Sequence, residues 1–341
     1  MLGMKVRNEG ISSMKIALIG GSGFLGSRLS RLFDNSQIDH HIFDINLDIN
    51  SSQNASFLDV VQKKSLDELS GYDFIVNLAA VHRDDIEPIS LYDDVNVTGA
   101  ENICDAARRF NINKMIFISS VAVYGFAKPN TDEDGEHNYF NDYGRTKHLA
   151  ERVYKEWFEE DPENRILVII RPTVIFGEGN RGNVYNLLQQ IASGKFVMLG
   201  NGKNIKSMSY VENVAAFIKH SLNFKEGIHI YNYIDKPDME MNSLISLIRK
   251  VLFNKGNVGV RMPAFLGHFI GRVFDLLSII SNKKLPISSI RIEKFLKTTQ
   301  FSSSINDTNF IAPYSLDEAL KKTIKYEFIE DNSSKRKYYS E

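Results

Sequence analysis

Ile19-Gly20-Gly21-Ser22-Gly23-Phe24-Leu25-Gly26 (residues 19–26, IGGSGFLG) decides the fold of this 341-residue chain. The stretch follows a short β-branched run at 15–19 (KIALI) and opens a helical pattern. Glycines at 20, 23 and 26 give the spacing GxxGxxG. One glycine allows a tight turn, another lets the backbone approach a pyrophosphate, and the third lets the helix pack against the strand. The N–H groups at the helix start then aim at the phosphates. An ordinary glycine-rich βα turn has the same composition. Position directly after the chain's first strand favours the dinucleotide reading.

Working outward, apolar runs at 15–19, 41–44 (HIFD), 73–78 (DFIVNL), 114–119 (KMIFIS) and 166–171 (ILVIIR) read as strands. They lack strict alternation, as strands covered by helices on both faces do. Segments long enough for crossover helices separate them, for example 97–110 (VTGAENICDAARRF). The expectation is α/β: a doubly wound parallel sheet of the Rossmann type with a smaller C-terminal α/β substrate domain. After Pro172 the texture changes to loops rich in Gly and Asn, while 228–234 (IHIYNYI) still reads as a strand returning to the sheet. The expected division is therefore discontinuous. Residues 14–176 form the NAD-binding domain with a returning segment at about 206–235, residues 177–205 and 236–330 form the substrate domain, and 1–13 and 331–341 are loose termini.

Hydrophobic residues at 43% and charged residues at 24% exclude a disordered or multi-span membrane protein. Lys and Arg (41) nearly balance Asp and Glu (42), so no basic surplus draws the molecule to nucleic acid. The single cysteine, Cys104, cannot form an internal disulfide and fits a packed helix position in a reducing compartment. Residues 1–13 have no apolar core of signal-peptide length, which places the expectation in the cytoplasm. The eight histidines show no metal-ligand spacing, so no metal is expected.

Asp44 ends the second strand 18 residues after Gly26, where a carboxylate accepts from the adenosine ribose and repels a 2′-phosphate. That predicts NAD rather than NADP, with Asp48 as the rival acid. Asp59-Val60 precedes a helix and is placed to meet the adenine, although a helix N-cap accounts for Asp59 equally well. Ser120 ends the fourth strand, and Tyr143 and Lys147 lie at i and i+4 on the helix that follows. A lysine ammonium beside a phenol lowers its pKa from ~10 toward the working pH, and a serine hydroxyl shares the substrate's alcohol proton. Such a group is a general acid/base for a secondary alcohol that gives up a hydride.

In this order the motifs resemble the extended short-chain dehydrogenase/reductase family of sugar-nucleotide epimerases and dehydratases, from residue 15 to about 329. The pieces are IGGSGFLG (19–26), NLAA (77–80), Asn96 in NVTGAEN, SSVAVYG (119–125), YGRTK (143–147) and RPTVIFG (171–177). The resemblance implies catalytic Ser120, Tyr143 and Lys147. It also implies a cofactor site of Gly20, Gly23, Phe24, Leu25, Gly26, Asp44, Asp59 and Val60, continued by Leu78, Ala79, Ala80, Asn96, Tyr143, Lys147 and Pro172. Ile19 departs from the threonine common before the first glycine. Val121-Ala122 stand where a dehydratase carries an Asp-Glu pair, which argues against dehydration.

The strings at 79–99, 171–188, 207–219 and 231–242 resemble a bacterial subgroup, the undecaprenyl-diphospho-N-acetylglucosamine 4-epimerases of surface-polysaccharide (O-antigen, lipopolysaccharide) synthesis. Asn183 and Lys206 fall where UDP-hexose 4-epimerases of the family contact the diphosphate, and Arg181 is a further cation nearby. His82 and Arg83, beside Asp84 and Asp85, sit at a strand end suited to substrate contact, and Ser120 meets the sugar itself. The implied function is 4-epimerisation of a diphosphate-linked N-acetylhexosamine through a 4-keto intermediate. The alternatives are a UDP-sugar 4-epimerase, a 4-ketosugar reductase, and an NAD-sensing regulatory module without catalysis. A homodimer is implied. Residues 264–280 (AFLGHFIGRVFDLLSII) carry a narrow polar stripe of His268, Arg272, Asp275 and Ser278, followed by Lys283, Lys284, Arg291, Lys294 and Lys297. Core packing and peripheral contact with the inner membrane's cytoplasmic face are the two readings of that helix.

Overall fold

A computed structural model describes residues 14–47, 54–83, 86–281 and 288–339. The expectations placed on 1–13, Asp48, Asp84, Asp85, Lys283 and Lys284 lie outside the described residues. Seven strands, β1 (Ile16–Ile19), β2 (His40–Asp44), β3 (Ala55–Phe57), β4 (Phe74–Asn77), β5 (Lys114–Ile118), β6 (Ile166–Pro172) and β7 (Gly227–Tyr233), form one sheet in the order β3-β2-β1-β4-β5-β6-β7. Every pairing in it is parallel. The order reverses beside β1, so a crevice opens at the carboxyl ends of β1 and β4. The run at 228–234 does return to the sheet, as β7 beside β6 in register Gly227↔Ile166.

Alternate strand residues feed two cores. On one face Ile16, Leu18, Val76, Ile116, Val168 and Ile170 meet helix α1 (Phe24–Asn35) through Leu25, Leu29 and Phe33. On the other, Ala17, Ile19, Ile75, Phe117 and Ile169 meet helices α2 (Gly99–Phe110) and α3 (Asp142–Glu159). Two buried faces explain why the strands read as continuous apolar runs. Cys104 and Trp157 are both fully buried in the second core. Burial pushes the Cys104 thiol far up, so it is inert.

The later helices are α4 (Asn183–Ala192), α5 (Val211–Ser221), α6 (Met241–Phe253), α7 (Ala264–Ser281), α8 (Ser289–Leu296) and α9 (Leu316–Phe328). Helix α5 packs on α1, beneath the main sheet. Two short ladders, Met198–Leu199 with Arg261–Met262 and Ile205–Lys206 with Met239–Glu240, tie the region between α4 and α8 together. The tail departs from expectation. Instead of a loose end, Tyr338 donates its N–H to Gly179 O at 2.8 Å and accepts from Arg181 N–H at 2.7 Å. Its ring also meets Phe24 at 5.6 Å, so backbone pairing and apolar contact both hold the segment down.

Candidate active site

The crevice is a cleft of about 900 Å³ at the carboxyl ends of the strands. At its floor Gly20 adopts φ +77°, and a Cβ there would come 2.7 Å from Ala79 N. At Gly26 a Cβ would come 2.6 Å from both the Gly20 carbonyl oxygen and Gly21 Cα, so the helix can press onto the turn only without a side chain. Gly23 caps α1 in extended conformation and is exposed to the cleft. Beside it, Ser22 Oγ is buried with no partner among the described residues, a polar atom that needs a ligand to satisfy it.

Asp44 reaches the same rim. One carboxylate oxygen accepts from Ser22 N–H at 3.0 Å and the other from Asn46 N–H at 2.9 Å. Asp59 and Val60 line the cleft farther out. The Asp59 carboxylate accepts from Val61 N–H and Gln62 Nε2 and so closes its own turn, whereas the following 3-10 helix is preceded by Gln62 without a side-chain cap. Leu78, Ala79, Ala80 and His82 form the wall after β4. Asn77 Oδ1 accepts from Ala79 N–H at 3.0 Å, which fixes that loop.

Deeper in, α3 begins at Asn141, whose side chain accepts from Gly144 N–H at 2.9 Å. Gly144 has no room for a Cβ, which would lie 2.5 Å from Ala122 O. This close approach brings the first turn of α3 against Ser120, the cap of the turn at 121–124. Ser120 and Tyr143 both line the cleft, with the serine hydroxyl near enough to the phenol to pull its pKa down. One turn on, Lys147 is buried, donates to Ile118 O at 2.8 Å and lies 4.7 Å from the Phe117 ring centre.

The electrostatics differ from the expectation of a phenol lowered by Lys147. Burial pushes the Tyr143 phenol up, with only the Ser120 hydrogen bond working the other way. The lysine itself is pushed down to about 7 by burial, with the Glu151 charge opposing. In a low-dielectric pocket both groups resist charging, so the protein alone does not make a phenolate.

Glu151, a turn beyond Lys147, is fully buried and takes Arg171 in a two-pronged pair, Nε–Oε1 at 2.8 Å and Nη2–Oε2 at 2.7 Å. Ser119 Oγ donates to the same carboxylate at 2.6 Å. Arg171 also donates to Tyr124 OH and Glu133 O, and meets His137 Nε2 at 3.3 Å. His137, His148 and Glu151 offer ligand atoms within 4.8 Å of one another. Arg171 already occupies the Glu151 oxygens and His137 Nε2, and its charge repels a cation there.

Several expected site residues lie elsewhere. Lys206 does not line the cleft: its ammonium donates to Lys294 O at 2.8 Å and Lys297 O at 2.6 Å, capping α8. Free carbonyls at a helix end attract a cation, and burial pushes this lysine down to about 8. Arg181 pairs with Glu327 at 2.8 Å and lies over the Tyr185 ring, away from the cleft wall. Asn96 is buried and clasps Val81 through both N–H and C=O while donating to Thr146 Oγ1, so it shapes the loop from behind. Arg83 is also off the lining; its carbonyl accepts from Tyr92 OH. Asn183 and Pro172 do line it.

The lining also includes Phe140, Asn180, Thr299 and the tail residues 336–339, which sequence reading missed. RPTVIFGEGN carried a weak signal for Asn180; the tail carried none.

These residues fit a bound dinucleotide. The glycine turn and Ser22 would hold the pyrophosphate, Asp44 the adenosine ribose, Asp59 and Val60 the adenine edge. Ala79, Pro172, Tyr143 and Lys147 would hold the nicotinamide half.

Comparison with known proteins bears on the family and the fold. Residues 16–233 match the NAD dependent epimerase/dehydratase family. The N-acetyl-alpha-D-glucosaminyl-diphospho-ditrans,octacis-undecaprenol 4-epimerase of Escherichia coli O157:H7 is 47% identical over 324 residues, 92% of this chain and 95% of that one. A UDP-glucose 4-epimerase of Pisum sativum is 29% identical over 282 residues, 73% of this chain and 75% of that one. The UDP-N-acetylglucosamine 4-epimerase structure from Bacillus cereus superposes with a TM-score of 0.72 at 17% identity, covering 93% of this chain and all of that one, and so shares the fold.

Proposed function

The chain belongs to the NAD dependent epimerase/dehydratase family, and from that premise we propose that it is an NAD-dependent 4-epimerase of a diphosphate-linked N-acetylhexosamine. The substrate pair is undecaprenyl-diphospho-GlcNAc and undecaprenyl-diphospho-GalNAc, made for bacterial surface polysaccharide. The 47% identity over nearly the whole of both chains supports the lipid-linked choice. One observation carries the chemistry: Ser120 and Tyr143, with Lys147 a turn behind, line the same cleft as the glycine turn.

Bound NAD would supply the acceptor and then the donor of the C4 hydride, with its nicotinamide half held by Ala79, Pro172, Tyr143 and Lys147. Tyr143 accepts the C4 hydroxyl proton, and Ser120 holds that oxygen through its own hydroxyl. Lys147 favours the phenolate only in its protonated form, which burial makes scarcer near neutral pH. Loss of the C4 hydroxyl proton and the C4 hydride leaves a 4-keto sugar, which turns over in the cleft so that the hydride returns to the other face of C4 while Tyr143 gives the proton back to O4. Val121 and Ala122 line the cleft after Ser120 with no carboxylate, so nothing at those positions removes a C5 proton for dehydration.

The decisive assay offers undecaprenyl-diphospho-GlcNAc and UDP-GlcNAc at equal concentration and separates GlcNAc from GalNAc products. Faster conversion of the lipid-linked sugar is expected, and conversion of UDP-GlcNAc alone would move the chain to the UDP-sugar epimerases. Deuterium at C4 is expected to reappear at C4, and its loss to water would refute direct return. Peripheral contact with the cytoplasmic face of the inner membrane completes the proposal, because the substrate's carrier stays in the lipid; the homodimer in it comes from the family resemblance alone.

A further inference from the structure

Helix α7 leaves a contiguous apolar stripe uncovered. Phe265 is 69% exposed, Phe269 66%, Leu276 58% and Leu277 46%, with Leu266 and Val273 also exposed. Steps of three and four put these residues on one face, about 18 Å long at 1.5 Å per residue. The opposite edge attaches the helix to the protein. Gly267 and Gly271 are buried there, and a Cβ on Gly271 would lie 2.9 Å from Ile292 Cδ1 and Ser289 Cα of α8. Asp275 accepts from Ser289 N–H at 3.2 Å. The sequence left open whether this helix is core, and the burial pattern decides against it: the apolar face points to water. Scattered exposed apolar residues need no explanation, but a stripe of this length marks an interaction surface.

The charge around the stripe selects its partner. Arg272 on α7 and Arg291 and Lys294 on α8 are exposed, and Lys297 follows directly after α8. Against these four cations the two described helices carry two acids, Glu293 and the inward-turned Asp275. The cations also lead to the cleft. Lys297 Nζ lies 3.8 Å from the Phe126 ring centre and Lys294 Nζ 5.3 Å from that of Phe140. Phe126 and Phe140 stack at 4.7 Å, and Phe140 lines the cleft. Lys206, capping α8 from inside, fixes the position of this bridge.

We infer that the apolar face of α7, with Arg272, Arg291, Lys294 and Lys297, docks on an anionic lipid bilayer and holds the cleft mouth beside it. No described helix is long and apolar enough to cross a membrane, so α7 lies in the interface with its phenylalanines among the acyl chains. The cations meet lipid phosphates, which attract them within a Debye length. This inference rests on the lipid-linked substrate for its purpose, and the docking is measurable without turnover.

The test is flotation of the full chain with phosphatidylglycerol-containing vesicles and with phosphatidylcholine vesicles. The wild type is expected to float with the former and to be released by salt. The double variant Phe265→Ser/Phe269→Ser is expected to bind on the order of tenfold more weakly. Arg272→Glu/Arg291→Glu is expected to lose the preference for anionic vesicles. Circular dichroism checks that the variants fold, and turnover of a water-soluble short-prenyl diphospho-GlcNAc is expected to stay at the wild-type rate in both. A wild type that remains unbound, or a phenylalanine variant that floats as well as wild type, overturns the inference. So does a wild type that does not float while the phenylalanine variant dissociates from dimer to monomer, since the stripe then joins two copies. Normal flotation with no conversion of lipid-linked GlcNAc supports docking and refutes the substrate reading instead.

Discussion

Glu151→Gln strikes the pair on which the catalytic helix and the end of β6 both lean. The wild-type carboxylate is wholly buried and accepts from Arg171 at 2.8 and 2.7 Å and from Ser119 at 2.6 Å. Glutamine keeps the volume but turns an NH₂ toward donors and leaves the buried Arg171 charge uncompensated. Breaking such a pair from one side costs about 3–5 kcal/mol. With an unfolding entropy of about 2.1 cal/mol/K per residue, the 341 residues give about 0.7 kcal/mol per degree, hence a Tm fall of roughly 4–7 °C. Calorimetry at neutral pH measures it. Glu151→Leu/Arg171→Met removes both charges and is expected to cost less than the sum of the two single variants. Because the Glu151 charge supports a protonated Lys147, the limb of the rate profile on which Lys147 deprotonates should also move to lower pH. A Tm within about 1 °C of wild type, below the shift expected for even 1 kcal/mol in a chain of this size, would refute the account of the pair.

Three further outcomes follow from the site. Tyr143→Phe should lower kcat by about 10²–10⁴ while leaving NAD affinity, measured by calorimetry, within a few-fold of wild type. Asp44→Ala should weaken NAD by about 10- to 100-fold, from losing a charged acceptor worth ~1.5–3 kcal/mol, and should narrow the preference over NADP; an unchanged preference in competition titrations would shift that role to another residue. Burial, then the Arg171 charge, hold the His137 imidazole down at about 4. The folded state therefore binds fewer protons than the unfolded chain between about 4 and 6.5, and stability should fall as pH falls through that window. For a half-buried ring the loss is about 1–2 kcal/mol, and His137→Asn should flatten the Tm-against-pH curve below pH ~6.5.

What the sequence determined is local. The glycine turn at 20–26, the apolar strand runs and the i, i+4 pair of Tyr143 and Lys147 are set by backbone sterics, two-sided burial and helical period, all readable over a few residues. The acid at the end of β2 follows because the strand's length fixes where Asp44 stands, whereas the order of the strands came from the structure. Tertiary structure decided whatever depends on partners distant in sequence. Arg181 and Lys206 look like diphosphate cations until Glu327 and the α8 carbonyls are seen to hold them. Asn96 looks like a ligand contact until Val81 and Thr146 take its amide. Tyr143 and Lys147 imply a depressed phenol until burial is counted, because desolvation depends on every element packed around them. The tail at 336–339 joins the cleft, and α7 turns its apolar face to water, for the same reason. Charge and apolarity belong to a residue, but what they meet is fixed only when the chain closes around them.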